Sequence, residues 1–124
     1  MISGIGTDLI RVDRMKKLVA MGKAYLETIF TEKEILYCES KTRKAEHYAA
    51  RYAGKEALLK ALGCGWRDGI AFSEIEIHND ELGRPQISLQ GKARSVFEGQ
   101  QIQQASISLS HIDEIALAIV ILEK

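Results

Sequence analysis

The sequence predicts an α+β domain, with an antiparallel sheet packed against one long helix and several short ones, formed by residues 1–124 as a single unit. Three observations carry that prediction. Helical spacing is concentrated in residues 13–62, whereas period-two alternation dominates after the glycine-rich stretch "GCGWRDG" at 63–69. Like elements therefore cluster instead of alternating, which favours α+β over a doubly wound sheet. A length of 124 residues, 46% hydrophobic content and a single proline give enough apolar volume for a core and exclude a disordered chain.

"ISGIGTDLI" at 2–10 is β-rich and interrupted by glycines, and reads as a strand ending near Ile10. Residues 13–29 carry helical spacing with a break at Gly22. Thr31 followed by Glu34 is a capping-box pattern and starts a short helix through about Cys38. The main helix is predicted from Arg43 to Leu62, with Gly63 placed for the left-handed turn that ends many helices. "FSEIEIHND" alternates and predicts a strand; "NDELGRP" supplies turn residues, and "PQISL" the returning strand of a hairpin. Residues 91–100 predict a helix with Ala93, Val96 and Phe97 on one strip. "ASISLSH" and "EIALAIVILE" predict two final strands around a turn at Ile112–Glu114.

Charge is balanced, 17 basic against 17 acidic residues, so no global field points to nucleic acid. Cys38 and Cys64 have neither C-x-x-C spacing nor zinc-site partners, which predicts reduced thiols and a cytoplasmic protein. The N-terminal residues lack a basic signal-peptide start. The longest apolar run, "IALAIVIL" at 115–122, is far too short to span a bilayer, so no membrane partner is expected.

The long helix raises the chemical question. Glu56 and Lys60 are four apart and share a face with Tyr52, Ala49, Ala53 and Gly63, while Arg51 and Lys55 form a second stripe beside Leu58 and Leu62. Neither stripe belongs to a broad polar face. A Glu–Lys pair in this order stabilises an isolated helix by a few tenths of a kcal/mol; charges near burial otherwise need partners or a task. Asp8, in a strand where Asp is uncommon, either ends the strand and caps the next segment or aims a carboxylate at a metal. If Asp8 and Glu56 meet, two hard-oxygen ligands suit magnesium, which keeps waters and takes oxygens from a substrate phosphate; manganese remains open. Lys60 would reach the same phosphate, an arrangement suited to attack at phosphorus. The "LGCGW" loop is compatible with backbone approaching a ligand. His111, at the end of "SISLS", is either structural or a phosphate contact. Arg11, Arg14, Lys16, Lys17 and Lys23 form a local basic surface, either solvated or steering an acidic partner.

Together, "GIGTDLIRVDR" at 4–14, "RYAGKEALLKALGCG" at 51–65, "FSEIEIHNDELGRPQISL" at 72–89 and "SISLSHIDEIALA" at 106–118 resemble the holo-acyl-carrier-protein synthases, a class of small 4′-phosphopantetheinyl transferases. The matches run in order and cover essentially the whole chain. The resemblance implies Mg-dependent transfer of 4′-phosphopantetheine from coenzyme A to a serine of apo acyl carrier protein, with release of adenosine 3′,5′-bisphosphate, in fatty acid biosynthesis. It implies metal ligation by Asp8 and Glu56, with catalysis by these two and Lys60. It places coenzyme A against Arg43, Arg51, Lys60, Gly63, Gly65, Ser110 and His111. It places the carrier protein on Arg14, with Lys17 and Lys23 on the same basic surface. It also implies a homotrimer with each site shared between subunits, and either Glu56 or a water on the metal as general base. Gly54 stands where relatives often carry Ala, a change expected to cost about 0.5–1 kcal/mol and to loosen the helix. A coenzyme A-binding module without catalysis, and a magnesium-dependent phosphodiesterase, are the rival readings of the same residues.

Overall fold

A computed structural model describes the backbone of residues 1–124 and every side chain except that of Trp66. The chain runs β1 (Ile2–Arg11), α1 (Val12–Val19), α2 (Lys23–Leu26), α3 (Glu32–Glu39), α4 (Lys44–Leu62), β2 (Ile75–Asn79), β3 (Pro85–Leu89), α5 (Gly91–Gly99), β4 (Gln104–His111) and β5 (Ile115–Glu123). β5 lies between β1 and β4 and is antiparallel to both; β2 and β3 form a separate antiparallel hairpin. The α+β prediction holds, with the antiparallel strands divided between two sheets.

α4 crosses the inner face of the three-stranded sheet. Strand alternation sends Ala116, Ala118, Val120 and Leu122 of β5 inward, where all four are fully buried, and α4 meets them with Ala49, Ala53, Ala57 and Leu58. The small residues permit close approach, and the glycines of β1 take it further. A Cβ at Gly4 or Gly6 would collide with the main-chain oxygens of Ala61 and Ala57, so "GIG" lets strand backbone lie directly on helix backbone. Asp8 is the next residue on that same face of β1, and is thereby delivered to the stretch of α4 that carries Glu56 and Lys60.

The helix boundaries reflect local chemistry. Thr31 Oγ1 accepts the Glu34 N–H at 3.3 Å and Glu34 Oε1 accepts the Thr31 N–H at 2.9 Å, so the predicted capping box starts α3. α4 begins at Lys44, with Arg43 as its flanking residue, one position later than predicted. It ends at Gly63, whose φ of 74° is the left-handed cap the sequence signalled. The predicted strand "FSEIEIHND" is shortened: Phe72–Glu74 forms a 3-10 turn and pairing starts at Ile75. Glu74 causes this, its carboxylate accepting the N–H groups of Ala71 and Lys92, both at 2.8 Å, and curling the segment onto the start of α5.

One sequence expectation about α4 changes, and another is met. Gly54 does not loosen it; a Cβ there would press on the side chains of Ile77 and Ile107, so the missing methyl is filled by two isoleucines from β2 and β4. The Arg51–Lys55 stripe faces the interior. Lys55 is 0% exposed and donates to Glu34 Oε1 at 2.7 Å, to the Phe72 carbonyl at 2.9 Å and to the Ile75 carbonyl. Glu34 in turn accepts the Ile77 N–H at 2.9 Å, so one buried ion pair joins α3, α4 and the β2 edge. Among the described residues, no helix is long and apolar enough to cross a membrane.

Candidate active site

Asp8, Glu56 and Lys60 line one small cleft of about 220 Å³, together with Leu9, Ile10, Arg14 and Tyr52. Lys60 Nζ donates to Asp8 Oδ1 at 3.1 Å and to the Thr7 carbonyl at 3.0 Å, tying α4 to β1. Burial, reinforced by the nearby Asp8 charge, holds the Glu56 carboxyl above its ordinary value of 4.5, while Lys60 and Arg14 oppose the shift. The Arg14 guanidinium lies 6.0 Å from the centroid of the Tyr52 ring, so this first-helix arginine sits at the cleft itself. Tyr52 is the residue of this group to which the sequence assigned no role; its i, i+4 spacing to Glu56 was the available signal.

The donor set fits a hard divalent cation. Two carboxylates share the cleft, and among the described residues no cluster of three or more His, Cys, Asp or Glu could enclose a metal. That composition suits an ion which retains waters and takes oxygens from a bound phosphate, as magnesium does, and is too sparse for a calcium cage or a structural zinc site.

Arg43 and His111 gather at the other end of α4. Arg43 pairs with Asp113, and with Glu46 at 3.5 Å; Glu46, itself buried, also lies 3.0 Å from His111 Nδ1. At about 1.5 Å of rise per residue, Glu46 and Lys60 are about 21 Å apart along the helix. One chain therefore does not bring Arg43 and His111 to the Asp8–Glu56 cleft. Arg51 lies between the two ends, 3% exposed, with its Cζ 4.0 Å from the Tyr37 ring centroid and its Nε unpartnered.

The other predicted residues are scattered. The Gly65 N–H, offered by the sequence to a ligand, donates to Asp68 Oδ2 at 2.8 Å within its own loop. Gly63 caps α4. Ser110 stands on the outer face of β4 opposite Leu117. Lys17 is exposed on α1, while Lys23 is exposed on α2 and borders a groove with Leu26, Ile35 and Leu36.

The comparisons with known proteins assign the chain to a family. The sequence profile of the 4′-phosphopantetheinyl transferase superfamily matches residues 4–120, and the chain belongs to that family of transferase enzymes. It is similar to the holo-acyl-carrier-protein synthase of Geobacter sp. (strain M21), at 43% identity over 100% of both chains. Among solved structures it resembles the holo-acyl-carrier-protein synthase of Neisseria meningitidis, with TM-score 0.88, 37% identity and 100% of both chains covered. It also resembles the Helicobacter pylori synthase in complex with coenzyme A, with TM-score 0.84, 30% identity, and 96% of this chain and 99% of that one covered.

Proposed function

We propose that the chain transfers the 4′-phosphopantetheine group of coenzyme A to a serine hydroxyl of an apo acyl carrier protein. The other product is adenosine 3′,5′-bisphosphate, and the step is magnesium-dependent and prepares carriers for fatty acid synthesis in the cytoplasm. Residues 1–124 serve as one transferase domain. The observation that carries this reading is the meeting of Asp8 of β1 with Glu56 and Lys60 of α4 in one cleft, Asp8 and Lys60 being 52 residues apart in sequence. The full-length likeness to synthases, including one solved with coenzyme A, supports it.

Asp8 and Glu56 would hold the magnesium ion, which when bound supplies charge neutralisation at the diphosphate. Lys60, anchored on the Thr7 carbonyl, adds a fixed positive charge where the departing bisphosphate gathers negative charge. Glu56, whose carboxyl is held above its ordinary value by burial and the nearby Asp8 charge, is one group that could receive the proton of the attacking hydroxyl, a water in the cleft being the other. Arg14 at the cleft, with Lys17 and Lys23 nearby on the first two helices, offers positive charge to an acidic carrier, an attraction weakened by salt.

The assembly in this reading is a homotrimer whose sites span subunits. A cleft of about 220 Å³ is below the usual ligand-pocket range of about 300–1,000 Å³. Arg43 and His111 gather at the far end of α4, too distant to complete it in the same chain. The outer face of the three-stranded sheet aligns Ile5 with Ile121 and Leu9 with Leu117, and Leu9 is 65% exposed. Such an apolar face calls for a covering surface, which a second copy of the chain supplies.

The test is direct. The protein is incubated with magnesium, coenzyme A and an apo carrier protein, and the carrier is weighed by mass spectrometry. A single added phosphopantetheine is expected. An unmodified carrier with intact coenzyme A would reduce the protein to a binding module, and cleaved coenzyme A with an unmodified carrier would make it a hydrolase.

A further inference from the structure

Arg14 borders a cleft that holds the carboxylates of Asp8 and Glu56, yet it forms no salt bridge among the described residues. It stands exposed on α1, and what it meets is Tyr52 of α4, whose ring centroid lies 6.0 Å from the guanidinium carbon. An aromatic face attracts a guanidinium over that range without occupying its N–H donors. It also offers apolar surface to the stem of the side chain.

Tyr52 is itself braced. Its ring meets Phe72 edge-on, with centroids 5.4 Å apart and planes at 76°. Phe72 opens the 3-10 turn that precedes β2, and its carbonyl accepts a hydrogen bond of 2.9 Å from the fully buried Lys55 ammonium. The half-buried ring therefore packs against an anchored turn as well as against the arginine, and it stands one helical turn before Glu56. A long side chain such as arginine loses rotamer freedom whenever it is held in one geometry. A fixed ring beneath Arg14 takes up part of that loss before any partner arrives, which is how preorganisation strengthens binding. It also keeps the guanidinium from folding onto Glu56 and closing the cleft with an internal ion pair.

We propose that Tyr52 is a positioning residue for carrier docking: its ring holds the Arg14 guanidinium at the mouth of the cleft, with its donors free for a carboxylate of the acidic carrier. The inference rests on the transferase reading, in which the carrier presents its serine to the Asp8–Glu56 cleft. Tyr52 acts through Arg14, so removing the ring matters only while the arginine is present. The contacts with Arg14 and Phe72 are both made by the ring, so the ring and not the hydroxyl carries the role.

The experiment measures binding of an apo carrier protein to the full chain by calorimetry at low salt, for the native protein, Tyr52→Leu, Tyr52→Phe, Arg14→Ala and the Arg14→Ala/Tyr52→Leu double variant. Tyr52→Leu is expected to weaken carrier binding about threefold to fivefold. Tyr52→Phe keeps the ring and is expected to bind the carrier within about twofold of native affinity. In the Arg14→Ala background the change to Leu should add less than about twofold, because its effect passes through the arginine. In transfer assays Tyr52→Leu should raise the KM for the carrier more than the KM for coenzyme A, a split that a merely structural defect would not produce. Additive effects in the cycle, equal rises in the two KM values, or a Tyr52→Phe as weak as Tyr52→Leu would overturn the inference. Tyr52→Met, unbranched and ringless, provides the second variant should Tyr52→Leu fail to fold: it should weaken the carrier to the same extent, and native-like binding refutes the proposal. A native protein that neither binds nor modifies a carrier refutes the transferase reading, whereas absence of the coupling in a protein that does modify it overturns the role of Tyr52 alone.

Discussion

Replacing Lys55 with methionine should be among the most damaging single changes to this fold, although Lys55 touches nothing in the cleft. Its ammonium is completely buried, donates to Glu34 Oε1 at 2.7 Å and satisfies the carbonyls of Phe72 and Ile75. Lys55→Met fills similar volume but leaves the Glu34 carboxylate buried without its cation and two carbonyls without that donor. Removing one partner of a buried pair costs about 3–5 kcal/mol, and we take about 4 kcal/mol. For 124 residues the unfolding entropy at the midpoint is about 0.26 kcal/mol/K, so Tm should fall by about 15 °C. Thermal unfolding followed by circular dichroism measures it. Burial holds Lys55 below its ordinary value of 10.5, opposed by Glu34, so the unfolded chain binds more protons in the alkaline range. This group's contribution to stability accordingly rises with pH toward 10.5. In a double-mutant cycle, Glu34→Gln with Lys55→Met should lose about 2 kcal/mol less than the two single changes added together. A Lys55→Met loss below about 1 kcal/mol would refute the clamp.

Other outcomes stem from the same packing. Gly6→Ala should push β1 off α4, because its Cβ would collide with the Ala57 oxygen; transfer should drop with Asp8, Glu56 and Lys60 all intact, and a fully active variant would contradict the close-approach account. The Cys38 thiol is pushed up to about 12 by burial, while Cys64 is only partly covered. A thiol reagent should therefore label Cys64 in the native protein and reach Cys38 only on unfolding, and equal labelling rates would contradict this. The Tyr48 hydroxyl, 2.8 Å from Glu39, and then Lys44 hold the Glu39 carboxyl below its ordinary 4.5. That stabilisation is present above pH 4.5 and is lost as pH falls through the lowered folded value. The urea midpoints of native protein and Tyr48→Phe should converge in acid, and a gap that widens there would count against the bond.

The readable parts of the fold were those decided by local chemistry. Thr31 and Glu34 satisfy each other's backbone groups, Gly63 takes the left-handed turn, and the alternation of residues 115–123 matches a strand with one face buried. Asp8, Glu56 and Lys60 each stood out as charge in an apolar setting, but it was the family resemblance that joined them into one site. What escaped depends on contacts distant in sequence. Glu34 was visible as a capping residue, but its pairing with Lys55 is created only when α3 packs on α4. Gly54 read as a weak point because the isoleucines that fill it come from β2 and β4. Phe72–Glu74 read as strand because the N–H groups that curl it include that of Lys92, eighteen residues on. Period alone also could not show that Arg43 and His111 lie at the opposite end of α4 from Lys60.

The most direct measurement is a manganese titration followed by electron paramagnetic resonance, with and without coenzyme A, on the native protein, Asp8→Asn and Glu56→Gln. One ion per chain is expected, held more tightly when coenzyme A is present, with each variant weakening it by about tenfold or more while remaining folded. Native-like manganese affinity in either folded variant would mean that the carboxylates of β1 and α4 do not share a cation, and the proposed basis of transfer would fail.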